Sequence, residues 1–346
     1  MTTGGTILNT AVPKSRLGSG YLPQLDGLRA IGIALVLVHH GLQPLEFGGF
    51  LGVDVFFVLS GFLITGILLR EWRTQGKIRI GKFYLRRAIR LYPSLLLALA
   101  VILPFGFALW GTKHFVEVAL AVTYLTPLVV EVLGKGSQIW LHTWSLGIEE
   151  MFYLVWPVAL IGALRWVGSK AWILIGVLGL AMMIVQIQLF SATGETSFFL
   201  RAGGILMGCS LALWLERRPV FCAAAPVGQI GLIGLVGAVV IGSVEGLQAV
   251  AFALAASATV ALLASISTRQ SALVSALSSP AVVYIGKISY ELYIWHYAIL
   301  VVLRLATDSR LIDVALVGIP LSVVLAVGTH RLLAKRIDRW KKQFAQ

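Results

Sequence analysis

Charge is what this sequence has least of, and acid least of all. Charged residues fill 12% of its 346 positions, where a soluble domain carries about 25%. So little charge on so apolar a chain excludes disorder and leaves too thin a polar coat for a soluble protein. Cysteine is scarce as well. Cys209 lies inside an apolar run and Cys222 just beyond one, so no disulfide framework is readable. Residues 1–20 lack the apolar core of a secretory signal, which makes the first apolar run a signal-anchor helix by expectation. No transporter-type internal repeat and no appended soluble domain can be read.

What is abundant is apolar residue: 58% of the chain, with a mean hydropathy of +0.89. A spanning helix needs about 20 apolar residues. Apolar stretches fall at 28–46, 50–69, 91–110, 115–133, 145–164, 171–190, 198–215, 226–243, 247–267, 281–304 and 312–332. Charge then sets sidedness. The chain holds 28 Lys and Arg against 15 Asp and Glu, a net +13. Eight of the bases crowd between Arg70 and Arg90 against the single acid Glu71, and Arg331, Lys335, Arg336, Arg339, Lys341 and Lys342 close the sequence. Bases beside apolar runs mark cytoplasmic loops and not nucleic-acid binding. Lys14 and Arg16 place the start of the chain inside, and the final cluster requires the same side. An odd number of spans cannot satisfy both. The stretch 115–133, with Glu117, Pro127 and Glu131, is the one expected not to cross.

The expected fold is therefore an all-α polytopic membrane protein. It is a bundle of ten transmembrane helices plus one external or re-entrant segment at 115–133, with both termini cytoplasmic. Its expected organisation is a polar tail over 1–21, a membrane domain over 22–335 and a basic tail over 336–346. The expected external connections are 42–49, 111–144, 191–197, 244–246 and 306–311, all short or poor in Lys and Arg.

Ionisable residues inside such helices are costly and are usually functional. On the first helix, Arg29 and His40 are eleven positions apart. That spacing turns an ideal helix by about 1100°, within about 20° of three full turns, and rises roughly 16 Å. The two lie on one stripe, and His39 points about 100° away from it. Snorkelling of Arg29 and buried hydrogen bonding of the histidines is the plainer alternative. Asp54, near the outer end of the second helix, is expected at the depth of His40, where a carboxylate would fix the imidazole tautomer. Capping of the second helix would explain Asp54 as well.

Arg87 and Arg90 sit at i,i+3 at the cytoplasmic mouth of the third helix. Paired guanidiniums match phosphate oxygens, though membrane anchoring accounts equally for their charge. In HTWSLGIEEMFYLVWP, Glu149 and Glu150 lie about one turn inside the outer end of a helix. Glu149, Tyr153 and Trp156 share a face there. Acids beside rings at an outer mouth suit carbohydrate, and an interfacial aromatic belt would explain the rings alone. In GKISYELYIWHYAI, Ser289, Tyr290, Glu291, Tyr293 and His296 stand in mid-helix and must face a cavity or one another. No metal site is expected.

Taken in order, LDGLRAI with Arg29 and His40, GVDVFFVLSGF, FYLRRAIRLYP, HTWSLGIEEMFYLVWP and ISYELYIWH resemble the acyltransferase-3 family of integral membrane O-acyltransferases. Bacterial O-antigen and exopolysaccharide O-acetylases belong to that family. The similarity runs from about Leu22 to Leu333. It implies a ten-helix bundle in the bacterial inner membrane and a cytoplasmic acyl-CoA donor, most often acetyl-CoA, used as co-substrate with no permanently bound cofactor. The acceptor it implies is a hydroxyl on a sugar or glycolipid at the outer face, and membrane lipid is a further expected partner. His40 matches the family's essential histidine and Arg29 its partner, while Arg87 and Arg90 match its paired donor-site arginines. Asp54 would assist His40. Glu149, Glu150, Tyr153, Trp156, Ser289, Tyr290, Glu291, Tyr293 and His296 would hold the acceptor or line the channel. Two departures stand out. Ala298 replaces a proline frequent two residues after the helix-10 histidine. The sequence also ends without the extracellular hydrolase-like domain of some members, so the acceptor is expected to be met either directly or through a separate partner protein in its place. The rival readings are a transporter or flippase for a polar lipid or sugar, and an acyltransferase acting on a lipid or antibiotic.

Overall fold

The computed structural model describes residues 21–42, 48–134, 138–218, 221–268, 270–307 and 310–344. Lys14, Arg16 and all of the N-terminal tail except Tyr21 lie outside these. Among the described residues the chain is helical and has no strand. The helices are α1 (Pro23–Gly41), α2 (Gly52–Gln75), α3 (Ile80–Trp110), α4 (Lys113–Thr123), α5 (Thr126–Leu133), α6 (Trp144–Gly162) and α7 (Ala171–Thr193). They continue with α8 (Gly203–Glu216), α9 (Ala225–Gly242), α10 (Gln248–Thr268), α11 (Ala272–Leu277), α12 (Pro280–Lys287), α13 (Ser289–Thr307) and α14 (Leu311–Phe344).

Each expected crossing has a helix. By length and apolarity alone, five segments can cross a bilayer, or up to seven if each of two bent pairs is one span. One of the five is the run Leu141–Thr193, whose 53 residues far exceed the roughly 20 that one crossing takes. A π turn at Ala163–Val167 divides it. Three expected crossings fall short of the test. The α1 helix carries Asp26, Arg29, His39 and His40, α8 has 14 residues, and α9 is a short apolar helix. The stretch 115–133 forms the bent pair α4–α5, turned by 118°. The bend lies at Tyr124, a buried non-glycine residue at φ 58°, a conformation that is sterically unfavourable for an aromatic residue.

Two apolar clusters build the interior. One joins α1, α2, α3, α6 and α13, and the other joins α2, α8, α9 and α10. The α2 helix serves both: Val53 and Phe57 face the first, Val55, Val58 and Leu59 the second. It is the axis of the bundle, with 72% of its apolar window buried against 22% for the run through α6 and α7. Outward faces are apolar as well. Ile230, Ile233, Val236 and Val240 on α9, and Leu174, Val177 and Leu178 on α7, are exposed. Water would penalise such faces, whereas hydrocarbon suits them once the backbone is bonded within helices. The chain is a multi-pass membrane protein.

Helix directions follow from pairings at two levels. Arg29 bonds Ser289 and His40 meets His296, so α1 and α13 run parallel. Arg87 pairs with Glu150, and the Tyr84 hydroxyl donates to the Leu154 carbonyl, so α3 and α6 run antiparallel. The bundle thus has an arginine end, where α1 begins, and a histidine end, where it finishes.

The α2 and α8 helices cross backbone against backbone. A Cβ on Gly61 would strike the Ile205 carbonyl oxygen, and one on Gly208 would strike that of Val58. Gly66, one and a half turns further along α2, has nothing near it. Gly61→Ala should therefore lower stability by about 1–3 kcal/mol through overpacking. Gly66→Ala should leave it equal or higher, because alanine is the better helix former. Thermal unfolding of both variants in the same detergent checks the contrast, and equal melting points would contradict this crossing.

Candidate active site

A cavity of about 350 Å³ opens where α1, α2, α3, α6 and α13 converge. Its polar wall consists of Arg29, Ser60, Arg86, Arg87, Arg90, Ser145, Glu149, Glu150, Tyr153, Ser289, Tyr290 and Tyr293. Phe56, Leu63, Ile64 and Ile67 of α2 form the apolar wall. The four guanidiniums outnumber the two lining carboxylates. Arg87 forms an ion pair with Glu150 and lies over the Tyr153 ring, 3.5 Å from its centroid. The Tyr153 hydroxyl donates to Glu149 Oε2 at 3.3 Å. Arg29 donates to Ser289 Oγ at 3.3 Å, and Arg86 reaches Glu71 at 3.4 Å. Arg90 makes no ion pair among the described residues. The cavity wall therefore carries an excess of positive charge, suited to an anionic ligand.

Glu149 and Glu150 share this cavity with the arginines, which corrects the expectation that they stand at the outer mouth. The reason is where α6 begins. The segment before it folds back into the bundle and buries Ile139, Trp140, His142 and Thr143. The Ser145 hydroxyl meets that of Tyr293 at 2.7 Å, so α6 starts at the level of the second turn of α13. Glu149 and Glu150 then fall roughly a turn and a half deeper. Trp156 does not line the cavity. Its indole N–H donates to Thr65 Oγ1 at 3.0 Å, and its ring stacks on Phe152. Glu291 is buried at 3.4 Å from His330 Nδ1 and also lies off the cavity. Tyr290 lines it while donating to the Leu91 carbonyl at 2.9 Å.

Ser289, Tyr293 and His296 form a ladder on one face of α13. Its lower two rungs line the cavity, and its upper rung is 3.1 Å from His40 Nδ1 through His296 Nε2. His296 Nδ1 lies 3.0 Å from the Leu292 carbonyl, which can only accept. A neutral His296 thus donates from Nδ1 and accepts at Nε2. His40 must then donate from Nδ1, which leaves the lone pair on His40 Nε2. The partner that sets the His40 tautomer is His296 and not Asp54.

Asp54 faces the other way. Its carboxylate pairs with Arg201 at 2.6 Å, and both side chains are buried. The close α2–α8 crossing directs that face of α2 at the start of α8. Arg201 also donates to the Phe50 carbonyl and lies between the Trp144 and Phe252 rings, 4.9 and 4.2 Å from their centroids. Sequence reasoning passed over Arg201, although it is the one charge in the apolar stretch 198–215 and so required a partner. It also passed over His142, which is buried with its ring 5.5 Å from that of His296.

A family model described as an acyltransferase domain, Acyl_transf_3, matches residues 22–331. The chain belongs to the acyltransferase-3 family. A Staphylococcus aureus (strain COL) protein with a provisional O-acetyltransferase name is 30% identical over 343 residues, covering 90% of this chain and 56% of its own length. The peptidoglycan O-acetyltransferase OatA of Listeria monocytogenes is 30% identical over 315 residues, 83% of this chain and 50% of its own. The O-acetyltransferase OatA of Staphylococcus aureus (strain NCTC 8325 / PS 47) is 30% identical over 318 residues, 81% and 51% respectively. The chain spans about half the length of these curated relatives. No solved structure gives a significant match. In this member of the family Ala298, where a proline is frequent, is fully buried in the α13 packing.

The Asp54–Arg201 pair yields a stability prediction. Removing one member of a buried pair strands the other charge and costs about 3–5 kcal/mol. Asp54→Asn and Arg201→Gln should each lower the unfolding temperature sharply, and the double variant should cost much less than their sum. Additive losses in that double-mutant cycle would show that the two side chains are not coupled.

Proposed function

We propose that this chain is an O-acetyltransferase that moves an acetyl group from acyl-CoA, held at the arginine end, to a hydroxyl presented at the histidine end. The observation that carries the reading is the ladder from the arginine-rich cavity to the His40–His296 pair. The O-acetyltransferase names of the relatives support the same chemistry. Arg90, Arg86 and Arg29 meet the donor phosphates, as charge-assisted bonds to phosphate require. Arg87 holds the cavity's shape through Glu150 and Tyr153. The apolar wall of α2 takes the pantetheine arm, which brings the thioester up the α13 ladder.

His40 Nε2 then takes the acceptor hydroxyl proton as the oxygen attacks the thioester carbonyl. The tetrahedral intermediate collapses, the C–S bond breaks, and the departing thiolate recovers the proton from His40. The same lone pair serves a two-step route in which His40 carries the acyl group and then yields it to the hydroxyl. In either route His296 holds the ring in the reactive tautomer, which makes it a positioning residue. Ser289 and Tyr293 are channel wall.

The arginine end is cytoplasmic in this reading and the histidine end external, with ten crossings and the membrane of the bacterial cell as location. The basic segment 70–90 supports that sidedness under the positive-inside rule. In a Cys222→Ser background, cysteines placed at Ser191 and Glu245 should label from outside intact cells, and one at Lys77 only after lysis. Labelling of Lys77→Cys from outside would reverse the reading.

His40→Ala should lower acetyl transfer by about 10²–10⁴-fold, the usual contribution of a general base. His296→Ala should lower kcat while the KM for acyl-CoA holds. Arg90→Gln should do the opposite, weakening acyl-CoA binding tenfold or more through a lost charged hydrogen bond of about 1.5–3 kcal/mol. Steady-state kinetics and acyl-CoA titration on folded protein check all three. Full activity in His40→Ala would remove the proposed base.

A further inference from the structure

The arginine cavity stops short of the base. On α13 its wall is made by Ser289, Tyr290 and Tyr293, while His40, His142 and His296 take no part in it. Tyr293 stands four residues after Ser289 and three before His296, about 6 Å and about 4.5 Å along the helix. Its ring is 5.5 Å from that of His296 and 5.3 Å from that of His142. A thioester climbing from Arg29 and Ser289 therefore meets the Tyr293 ring before it meets His40 or His296. The histidine end, in contrast, is open. His40 is half-buried, and its ring is 4.9 Å from that of His39. His39 lines a separate aromatic bowl of about 760 Å³ with Phe50, Phe190 and Phe252. Water thus approaches the base from one side, and Tyr293 separates the base from the donor cavity on the other.

Hydrogen bonding holds Tyr293 in that position. Its hydroxyl donates to the His142 carbonyl at 2.7 Å. A phenol has one proton, so Ser145 must be the donor in the 2.7 Å contact between the two hydroxyls. The chain from Ser145 through Tyr293 to the His142 carbonyl commits both protons. Neither hydroxyl keeps one for a ligand, so what the pair does is fix the ring. It ties α13 to the first turn of α6 and to the 3-10 turn Leu141–Thr143 that precedes it. Ser145, Tyr293 and His142 are all buried, which shields the chain from competing water. The latch also ends among the rings around the base, because the His142 ring is 5.5 Å from that of His296 and 5.0 Å from that of Tyr297. A thioester left beside a general base is open to hydrolysis, and closure of a site suppresses that loss.

We propose that Tyr293 is a gate between the arginine cavity and His40, latched by Ser145 and the His142 carbonyl, and that it sets how much acetyl is lost to water. The inference rests on the acyl-transfer reading above. Passage of the thioester requires the ring to swing aside, and the latch restrains that swing until an acceptor is in place. In the side reaction it limits, a water oxygen attacks the thioester carbonyl and gives a proton to His40. The C–S bond breaks, acetic acid forms, and His40 returns the proton to the CoA thiolate. The test uses the full chain in detergent, in the Cys222→Ser background, with acetyl-CoA and no acceptor. Release of the CoA thiol is followed at saturating acetyl-CoA, and acetyl-CoA binding is titrated separately. Tyr293→Phe keeps the ring and deletes both hydrogen bonds, so hydrolysis should rise tenfold or more. Ser145→Ala deletes one of them and should raise it several-fold, which carries the test if Tyr293→Phe does not fold. Adding His40→Ala to either variant should return hydrolysis to the wild-type rate or below, a dependence that loosened packing alone would not produce. Equal or slower hydrolysis in the latch variants, in proteins that bind acetyl-CoA, would overturn the gate and leave the acyl-transfer reading standing. Raised hydrolysis that survives His40→Ala would also overturn the gate, because the acetyl group would then be lost before it reached the base. A wild type that binds no acetyl-CoA would overturn the acyl-transfer reading and the gate with it.

Discussion

The constraint on which this bundle depends is the cost of an unpaired charge away from water. An ionised group surrounded by apolar side chains or lipid is tolerable when a partner or a polar cavity meets it. Asp54 and Arg201 answer that cost by pairing across α2 and the turn that leads into α8, Arg87 and Glu150 across α3 and α6, and Glu291 and His330 across α13 and α14. Each pair joins two helices, so the few charges in the chain also set which helices are neighbours. Arg90, with no such pair among the described residues, lines a cavity. Uncompensated charge and empty space occur together there, as expected of a site shaped for a ligand of opposite sign.

The histidines follow a related logic. His40, His142 and His296 stand ring to ring near the end of α1. Imidazoles crowded in this way are poorly placed to be cationic together, and neutral rings can order their protons through hydrogen bonds. The Leu292 carbonyl orients His296, and His296 orients His40. A backbone oxygen and a second imidazole thus fix the His40 tautomer, a task that elsewhere falls to a carboxylate.

The separation of the two concavities also bears on the family. The region shared with the longer relatives includes the arginine cavity, the histidine pair and the aromatic bowl, since residues 22–331 contain all three. The arginine cavity lies at one end of the bundle and the open aromatic concavity at the other, with the histidine pair between their levels.

Composition and pattern determined the membrane class and where the long apolar helices fall, and they singled out Arg29, His40, Arg87, Arg90, Glu149, Glu150, Tyr293 and His296 as charges and polar groups in apolar runs. The signal is strong because hydrocarbon penalises such groups so heavily that few persist without a role. The sequence could not decide which partner each one meets. Counting residues from the expected helix ends put Asp54 level with His40 and Glu149 at a mouth. The α2–α8 crossing at Gly61 and Gly208 turned Asp54 toward Arg201, and the infolded segment before α6 lowered Glu149 and Glu150 to the arginines. Depth and facing depend on where a helix starts and how closely its neighbours approach. Those are properties of packed backbones, and helical periodicity along one chain carries no record of them.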